Sequence, residues 1–222
     1  MKSTSPLSIA LVWIFTLLLP IMIVFSIVRL LMTPVFPHIE YNMPAFPDDP
    51  YGFTKTERLK WSKISIDYLI KGQDISFFDS YKLPDGSPLY NDRELSHMDD
   101  VKFLVRRGLI VWNFSGFFFL LSVYLVLRTT NYQALKTGFR RGGYLTLGII
   151  MAVLMAVAIN FNVLFTQFHS LFFEGDSWIF YYSDTFIRLF PIRFWQDSFI
   201  YVGVISLILS IAAIKLPGKW IK

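Results

Sequence analysis

The chain has 222 residues, of which 54% are hydrophobic, and a mean hydropathy of +0.49, well above that of an ordinary soluble domain. It contains no cysteine, which excludes disulfides, thiolate metal sites and a cysteine nucleophile. The net charge of +5 is spread unevenly along the chain, a distribution typical of an oriented membrane protein.

Four apolar segments are long enough to cross a bilayer: residues 7–32, 108–127, 144–165 and about 194–216. A span needs about 20 mostly apolar residues, and its backbone must form its hydrogen bonds internally, which favours helices. The first segment has too long an apolar core for a signal peptide, so we expect a retained anchor with a kink at Pro20. The sequence predicts an all-α integral membrane protein with a single membrane domain over residues 1–222.

The charge distribution predicts how these helices are oriented. Segments 33–107 and 168–197 hold all 16 acidic residues, whereas three other segments carry basic residues and no acid. The basic residues of those segments are Lys2, Arg128, Lys136, Arg140, Arg141, Lys215, Lys219 and Lys222. By the positive-inside rule we expect both termini in the cytoplasm and residues 33–107 and 168–193 outside it. Arg106 and Arg107 oppose this assignment, although a long loop translocates despite such charges.

The two outer segments predict a cap of short helices and a hairpin. Residues 33–53 are rich in proline and favour extended chain. The stretch TKTE, from Thr54 to Glu57, has the form of a capping box that opens a helix, and Gly72 can close it. A Pro-Asp-Gly turn within residues 75–90 predicts a short hairpin.

Two further cap helices are predicted near the membrane. Asn91 or Asp92 can cap a helix that runs through His97 towards the second span. The stretch SDTFIRLFPIRFW, residues 183–195, predicts a short aromatic helix in the membrane interface.

The positions of ionisable residues place any chemistry at the outer surface. The second and third spans contain no Asp, Glu, Lys, Arg or His, and Arg29 lies near the outer end of the first span. Ion-coupled transporters carry ionisable groups within the membrane, and a haem held between helices needs buried histidines. Both classes are therefore disfavoured.

Two of the three histidines, His97 and His169, lie beside the predicted outer ends of the second and third spans. Histidine moves protons near neutral pH because its ordinary pKa is about 6.5. Asp100 follows His97 by three residues and could orient its ring, and Asp176 could do the same for His169. The alternative, in which each histidine is an ordinary interfacial residue, stays open.

Three further residues have two interpretations each. Arg29 can reach the lipid headgroups or hold a substrate ester or phosphate oxygen, and Tyr41 and Tyr51 can be packing or substrate-binding residues. His38, the third histidine, is interpreted as a loop side chain. His97, His169 and a carboxylate could in principle bind one Zn²⁺, although such a pattern drawn from separate loops is weak. No nucleophile elbow, HExxH motif or phosphate-binding glycine loop occurs.

Four blocks of sequence resemble a family of four-span bacterial membrane proteins that contains the lipoprotein intramolecular transacylase. They are YGFTKTERL at 51–59, HMDDVK at 97–102, FHSLFFEGDSWIF at 168–180 and SDTFIRLFP at 183–191. The resemblance implies an acyltransferase of the bacterial cytoplasmic membrane with its active site on the outer side. It also implies that His97 and His169, 72 residues apart, match the catalytic pair.

The implied substrate is a lipoprotein whose N-terminal cysteine carries a diacylglyceryl thioether, and the implied reaction moves its sn-2 acyl chain to the α-amino group of the same cysteine. Amine and ester then belong to one molecule, so positioning alone supplies a high effective molarity. One histidine can take the amine proton, and the other can stabilise the oxyanion or protonate the leaving oxygen. We favour His169 as the base.

No cofactor, metal or nucleic-acid partner is expected, membrane lipid is an expected partner, and a monomer is favoured. Two alternatives remain open from the residues alone. One is a metal-dependent outer-leaflet lipid or acyl hydrolase, and the other is a non-catalytic envelope protein that binds lipid or protein through its cap.

Overall fold

The computed structural model describes residues 5–215 and 217, and the described chain is helical without a β-strand. Its helices are α1 (Pro6–Leu31), α2 (Val35–Glu40), α3 (Lys55–Lys71), α4 (Asp92–Thr129), α5 (Tyr132–Phe172), α6 (Thr185–Leu189) and α7 (Ile192–Lys215), with a 3-10 helix at Ile75–Ser80. Four of them, α1, α4, α5 and α7, are long and apolar enough to cross a membrane. The predicted all-α class with four membrane helices is confirmed.

The two longest helices extend well beyond their apolar parts. α4 has 38 residues and α5 has 41, whereas a span needs about 20. His97 precedes the apolar segment 108–127 and His169 follows the segment 144–165, so both lie on helical extensions outside the spans. Lys2, Leu216, Lys219 and Lys222, which entered the predictions of span and orientation, lie outside the described residues.

One compact unit consists of Met1–Val28, Gly108–Ile159 and Phe199–Lys222. Within it, α5 approaches α1 through a Gly138-x-x-x-Gly142 pattern. A Cβ on Gly138 would lie 2.6 Å from Phe15 Cβ, and one on Gly142 would lie 3.0 Å from the Phe15 carbonyl oxygen. Small residues at this spacing let membrane helices approach closely.

The second compact unit consists of Arg29–Arg107 and Asn160–Ser198, and it contains both candidate histidines. The predicted capping box is present at the start of α3: the Thr54 side chain accepts from Glu57 N–H, and the Glu57 carboxylate accepts from Thr54 N–H. Gly72 ends α3 with φ +69°, in the left-handed region that favours glycine.

The prediction of extended chain over residues 33–53 is wrong at its start, because VFPHIE forms α2. Pro34 is the N-cap and Pro37 lies in the first turn. The N–H groups of a first turn have no partner within the helix, so proline costs little there. Prolines that suggested extended chain therefore begin a helix.

The predicted hairpin is present only as a tight turn. The stretch ISFFDS forms the 3-10 helix, and the chain then reverses at Leu83–Ser87 with a single antiparallel bridge between Lys82 and Pro88. Two hydrogen bonds flank this bridge, from Leu83 N–H to the Ser87 carbonyl and from Leu89 N–H to the Tyr81 carbonyl, so Pro88 needs no N–H there. The helix predicted over residues 183–195 is also shorter than expected, since α6 ends at Leu189 and α7 begins after Pro191.

Candidate active site

His97 lies in the second turn of α4 and is almost fully enclosed. Asn91 caps the helix: its side chain accepts from Glu94 N–H, and the Glu94 carboxylate accepts from Asn91 N–H. The His97 side chain is only 3% exposed, and its Nδ1 is buried with no hydrogen-bond partner in the described part of the chain. Three phenylalanine rings surround it at centroid distances of 4.9 to 5.4 Å: Phe173, Phe180 and Phe186.

His169 lies near the end of α5, after a break in that helix. Asn160 has non-helical backbone angles, and its side chain accepts from Val163 N–H, which starts the helical segment that carries His169. His169 Nδ1 lies 2.7 Å from the Phe165 carbonyl oxygen. A carbonyl can only accept, so Nδ1 carries the hydrogen and Nε2 keeps its lone pair.

The two imidazole rings face one another. Their centroids are 6.2 Å apart and their planes differ by 23°. The Phe173 ring contacts both imidazole rings, and the centroid of the Trp178 ring lies 5.0 Å from that of His169. The prediction that the two histidines meet is therefore correct, and they meet inside an aromatic enclosure.

The enclosure shifts the titration of both histidines, which lie outside the apolar spans. Burial, and secondarily the neighbouring His169, lower the pKa of His97 to about 4. Burial also lowers the pKa of His169, against the hydrogen bond to Phe165, which raises it. Both rings are consequently neutral at pH 7, and His169 Nε2 is available to accept a proton.

Comparison with known proteins decides the family. The sequence profile of the lipoprotein intramolecular transacylase Lit matches residues 11–195. The chain belongs to the lipoprotein intramolecular transacylase family. An uncharacterized protein of Aquifex aeolicus is 32% identical over an alignment of 190 residues, which covers 82% of this chain and 82% of the relative.

Solved structures of Lit from Bacillus cereus have the same fold. One has a TM-score of 0.74 at 21% identity and covers 96% of this chain and 93% of its own. A variant of that protein, with a histidine replaced by arginine, has a TM-score of 0.67 at 24% identity over 92% of this chain and 89% of its own. The expected family and the expected class, a multi-pass membrane acyltransferase, are both confirmed.

The residues of this Lit family member do not form the metal site considered from the sequence. Within the described residues, no group of three or more His, Asp or Glu side chains is placed to hold a metal ion.

Asp100, expected to orient His97, makes another contact, and a backbone carbonyl takes the role expected of Asp176. Asp100 accepts a long hydrogen bond, 3.5 Å, from Ser177 Oγ. The Phe165 carbonyl occupies the Nδ1 position where the sequence suggested Asp176. The backbone carbonyl of Asp176 accepts from Ile179 N–H within the same loop.

The remaining predicted residues lie in several environments. Arg29 donates to the Met32 carbonyl at the end of α1, at 3.3 Å. Tyr41 is buried and donates to the Leu189 carbonyl at 2.8 Å, which suits packing. The Tyr51 side chain is half exposed, and His38 is also exposed.

The sequence analysis did not identify the aromatic wall around His97, which consists of Phe173, Phe180 and Phe186, or the buried acidic residue Glu94. Glu94 is 2% exposed and lies one helical turn before His97. Its spacing from Asn91 predicts a role in capping α4, but nothing in the neighbouring sequence predicts its burial beside the histidine. Phe180 and Phe186 belong to sequence blocks that resemble the Lit family, and that coincidence is the signal that could have identified them.

Proposed function

We propose that this protein transfers the sn-2 acyl chain of a diacylglyceryl-cysteine lipoprotein to the α-amino group of the same cysteine, with His169 as general base and His97 as hydrogen-bond donor. Membership of the Lit family supports the reaction class. The observation that carries the assignment of roles is the bond between His169 Nδ1 and the Phe165 carbonyl, because it leaves Nε2 as a free base beside a buried neutral imidazole.

The first step is attack of the substrate amine on its own ester. The nitrogen lone pair forms a bond to the ester carbonyl carbon, and the carbonyl π electrons move to oxygen. As the C–N bond forms, the nitrogen becomes acidic, and His169 Nε2 takes its proton. An imidazole whose pKa lies below its ordinary value is a weak base towards free ammonium but an adequate one at this stage, when the proton is readily lost.

The oxyanion of the tetrahedral intermediate is stabilised by the N–H of neutral His97. A pKa of about 4 keeps that ring uncharged at neutral pH, and a neutral imidazole can donate to a developing oxyanion. The intermediate collapses by cleavage of the bond between the acyl carbon and the glycerol oxygen. The leaving oxygen receives the proton from His169, so the products are an amide and a free hydroxyl group and both histidines return to their starting state.

The spacing of the rings suits a single reacting group. A hydrogen bond spans roughly 3 Å between heavy atoms, so one ester placed at the edges of two rings with centroids 6.2 Å apart can approach a nitrogen of each. The surrounding phenylalanine and tryptophan rings exclude water, which favours transfer to the amine over hydrolysis.

We also propose that the site lies on the extracytoplasmic side of a bacterial cytoplasmic membrane, with both termini in the cytoplasm and one membrane domain. Among the described residues, the support is the acid-free basic segment 128–143, whose cations include Arg128, Lys136 and Arg140. Both histidines lie at the opposite ends of α4 and α5 from that segment.

Purified protein in lipid vesicles with a synthetic diacylglyceryl-cysteine lipopeptide, isotopically labelled in the sn-2 chain, tests this proposal. We expect the label on the α-amine by mass spectrometry, with no labelled free fatty acid. His97→Gln and His169→Gln should each lower the rate by at least about 100-fold. The matched control is His38→Gln, an exposed histidine that should leave the rate unchanged. Release of labelled fatty acid, or full activity in either site variant, would refute the assignment.

A further inference from the structure

Glu94 uses both carboxylate oxygens to hold backbone groups beside His97. The side chain is 2% exposed and lies three residues before His97 on α4. Oε2 accepts from Asn91 N–H at 2.8 Å, and Oε1 accepts from Phe186 N–H at 2.6 Å. The first contact fixes the opening turn of α4, and the second fastens α6 to that turn.

The contact between Glu94 and Phe186 N–H holds the backbone of a residue whose ring covers His97. The Phe186 ring stands edge-on to the His97 ring, with centroids 5.4 Å apart and planes at 89°. Phe186 also lies 5.4 Å from Phe180, which contacts His97 at 5.3 Å. One buried carboxylate therefore joins the opening turn of α4, one turn before His97, to Phe186, whose ring contacts both His97 and Phe180.

We propose that Glu94 is a positioning residue for His97, acting through Asn91 N–H and the Phe186 wall. This inference rests on the proposed function, in which His97 acts on the substrate. Glu94 itself contacts backbone N–H groups, so it affects the reaction through the position of the His97 imidazole and the exclusion of water from it.

The geometry requires a carboxylate at this position. A glutamine has one oxygen and one NH₂ group, so either Asn91 or Phe186 would face a second donor. A buried N–H that loses its acceptor is costly. Burial raises the pKa of Glu94 to about 7, against the two N–H donors and Arg188, which lower it, while Asp184 raises it further, so the carboxylate that both N–H groups need is the main form above pH 7.

Glu94→Gln tests the proposal, with Glu57→Gln as the matched control. Glu57 performs the same capping chemistry at the start of α3, a helix that carries neither histidine. We expect Glu94→Gln to lower kcat about tenfold with KM changed by less than about twofold. Imidazole ¹⁵N NMR should show the His97 pKa rising by at least about one pH unit as water enters. Glu57→Gln should change neither quantity.

Phe186→Leu provides a second route if Glu94→Gln does not fold. It keeps the backbone N–H that Glu94 binds and removes the ring against His97, so the His97 pKa should again rise. An unchanged His97 titration in a folded Glu94→Gln or Phe186→Leu protein would overturn the proposal, even if thermal stability fell. Full activity of His97→Gln would instead refute the proposed function, so the two failures are distinguishable.

Discussion

Acidification provides a direct measure of how strongly the fold keeps His97 neutral. The pKa of His97 is about 4 in the folded protein and about 6.5 as an ordinary histidine, mainly because the ring is buried. Between these values the unfolded chain binds a proton that the folded chain does not. The free energy of unfolding therefore falls as pH decreases from 6.5 towards 4, and this loss is absent above about pH 7.

The size of the effect follows from the two pKa values. Comparing pH 7.5 with pH 4.5, the proton taken up by unfolded His97 lowers the free energy of unfolding by about 2.5 kcal/mol. Other groups titrate in the same range, so the quantity to measure is the difference between the wild type and His97→Gln, which cannot bind this proton.

The assay is reversible denaturation in detergent at both pH values for the wild type, His97→Gln and His38→Gln. We expect the wild type to lose about 2.5 kcal/mol relative to His97→Gln on acidification. His38 is exposed, and His38→Gln should follow the wild type at both pH values. Parallel behaviour of the wild type and His97→Gln, or a difference of opposite sign, would refute a buried neutral His97.

Three other predictions concern stability elsewhere. Burial, and then the neighbouring carboxyl of Asp197, raise the pKa of Glu40 to about 8. Ionisation of Glu40 therefore lowers the free energy of unfolding as pH rises from 4.5 towards 8. The Glu40→Gln variant should have a higher thermal midpoint than the wild type at pH 8.5 and a similar one at pH 5. Gly142→Ala should lower the free energy of unfolding by about 1–3 kcal/mol because its Cβ would meet α1, whereas Gly148→Ala, with open space around it, should not destabilise the protein in the same denaturation assay. Asp49→Asn should lower the free energy of unfolding by about 3 kcal/mol, because the buried Asp49 carboxylate accepts hydrogen bonds from two N–H groups of Arg188. Equal stability of the variant and the wild type would contradict this prediction.

The parts of the fold that sequence predicted are those with local causes. Membrane spans follow from apolar length, and the α3 capping box follows from Thr54 and Glu57 three residues apart. The meeting of His97 and His169 followed from their similar predicted depth at the ends of two spans. These features need only short windows of sequence and the geometry of a bilayer.

The parts that sequence did not predict depend on which segments meet in space. The bond from Phe186 N–H to Glu94 joins residues 92 positions apart, and no local pattern signals it. The acceptor for His169 Nδ1 is a backbone carbonyl, which every residue possesses, so a search for nearby carboxylates favoured Asp176 instead. The prolines before Glu40 are consistent both with extended chain and with the first turn of a helix, so they alone do not predict α2.

Mass spectrometry of lipoprotein N-termini, after expression of this chain in a bacterial host that lacks N-acylation, tests the central claim most directly. The account predicts N-acyl, S-monoacylglyceryl cysteine with the wild type. With His97→Gln or His169→Gln present in the membrane at equal amounts, it predicts unchanged diacylglyceryl cysteine. Only unchanged diacylglyceryl cysteine from well-expressed wild-type protein would contradict it, as would N-acylation that persists without either histidine.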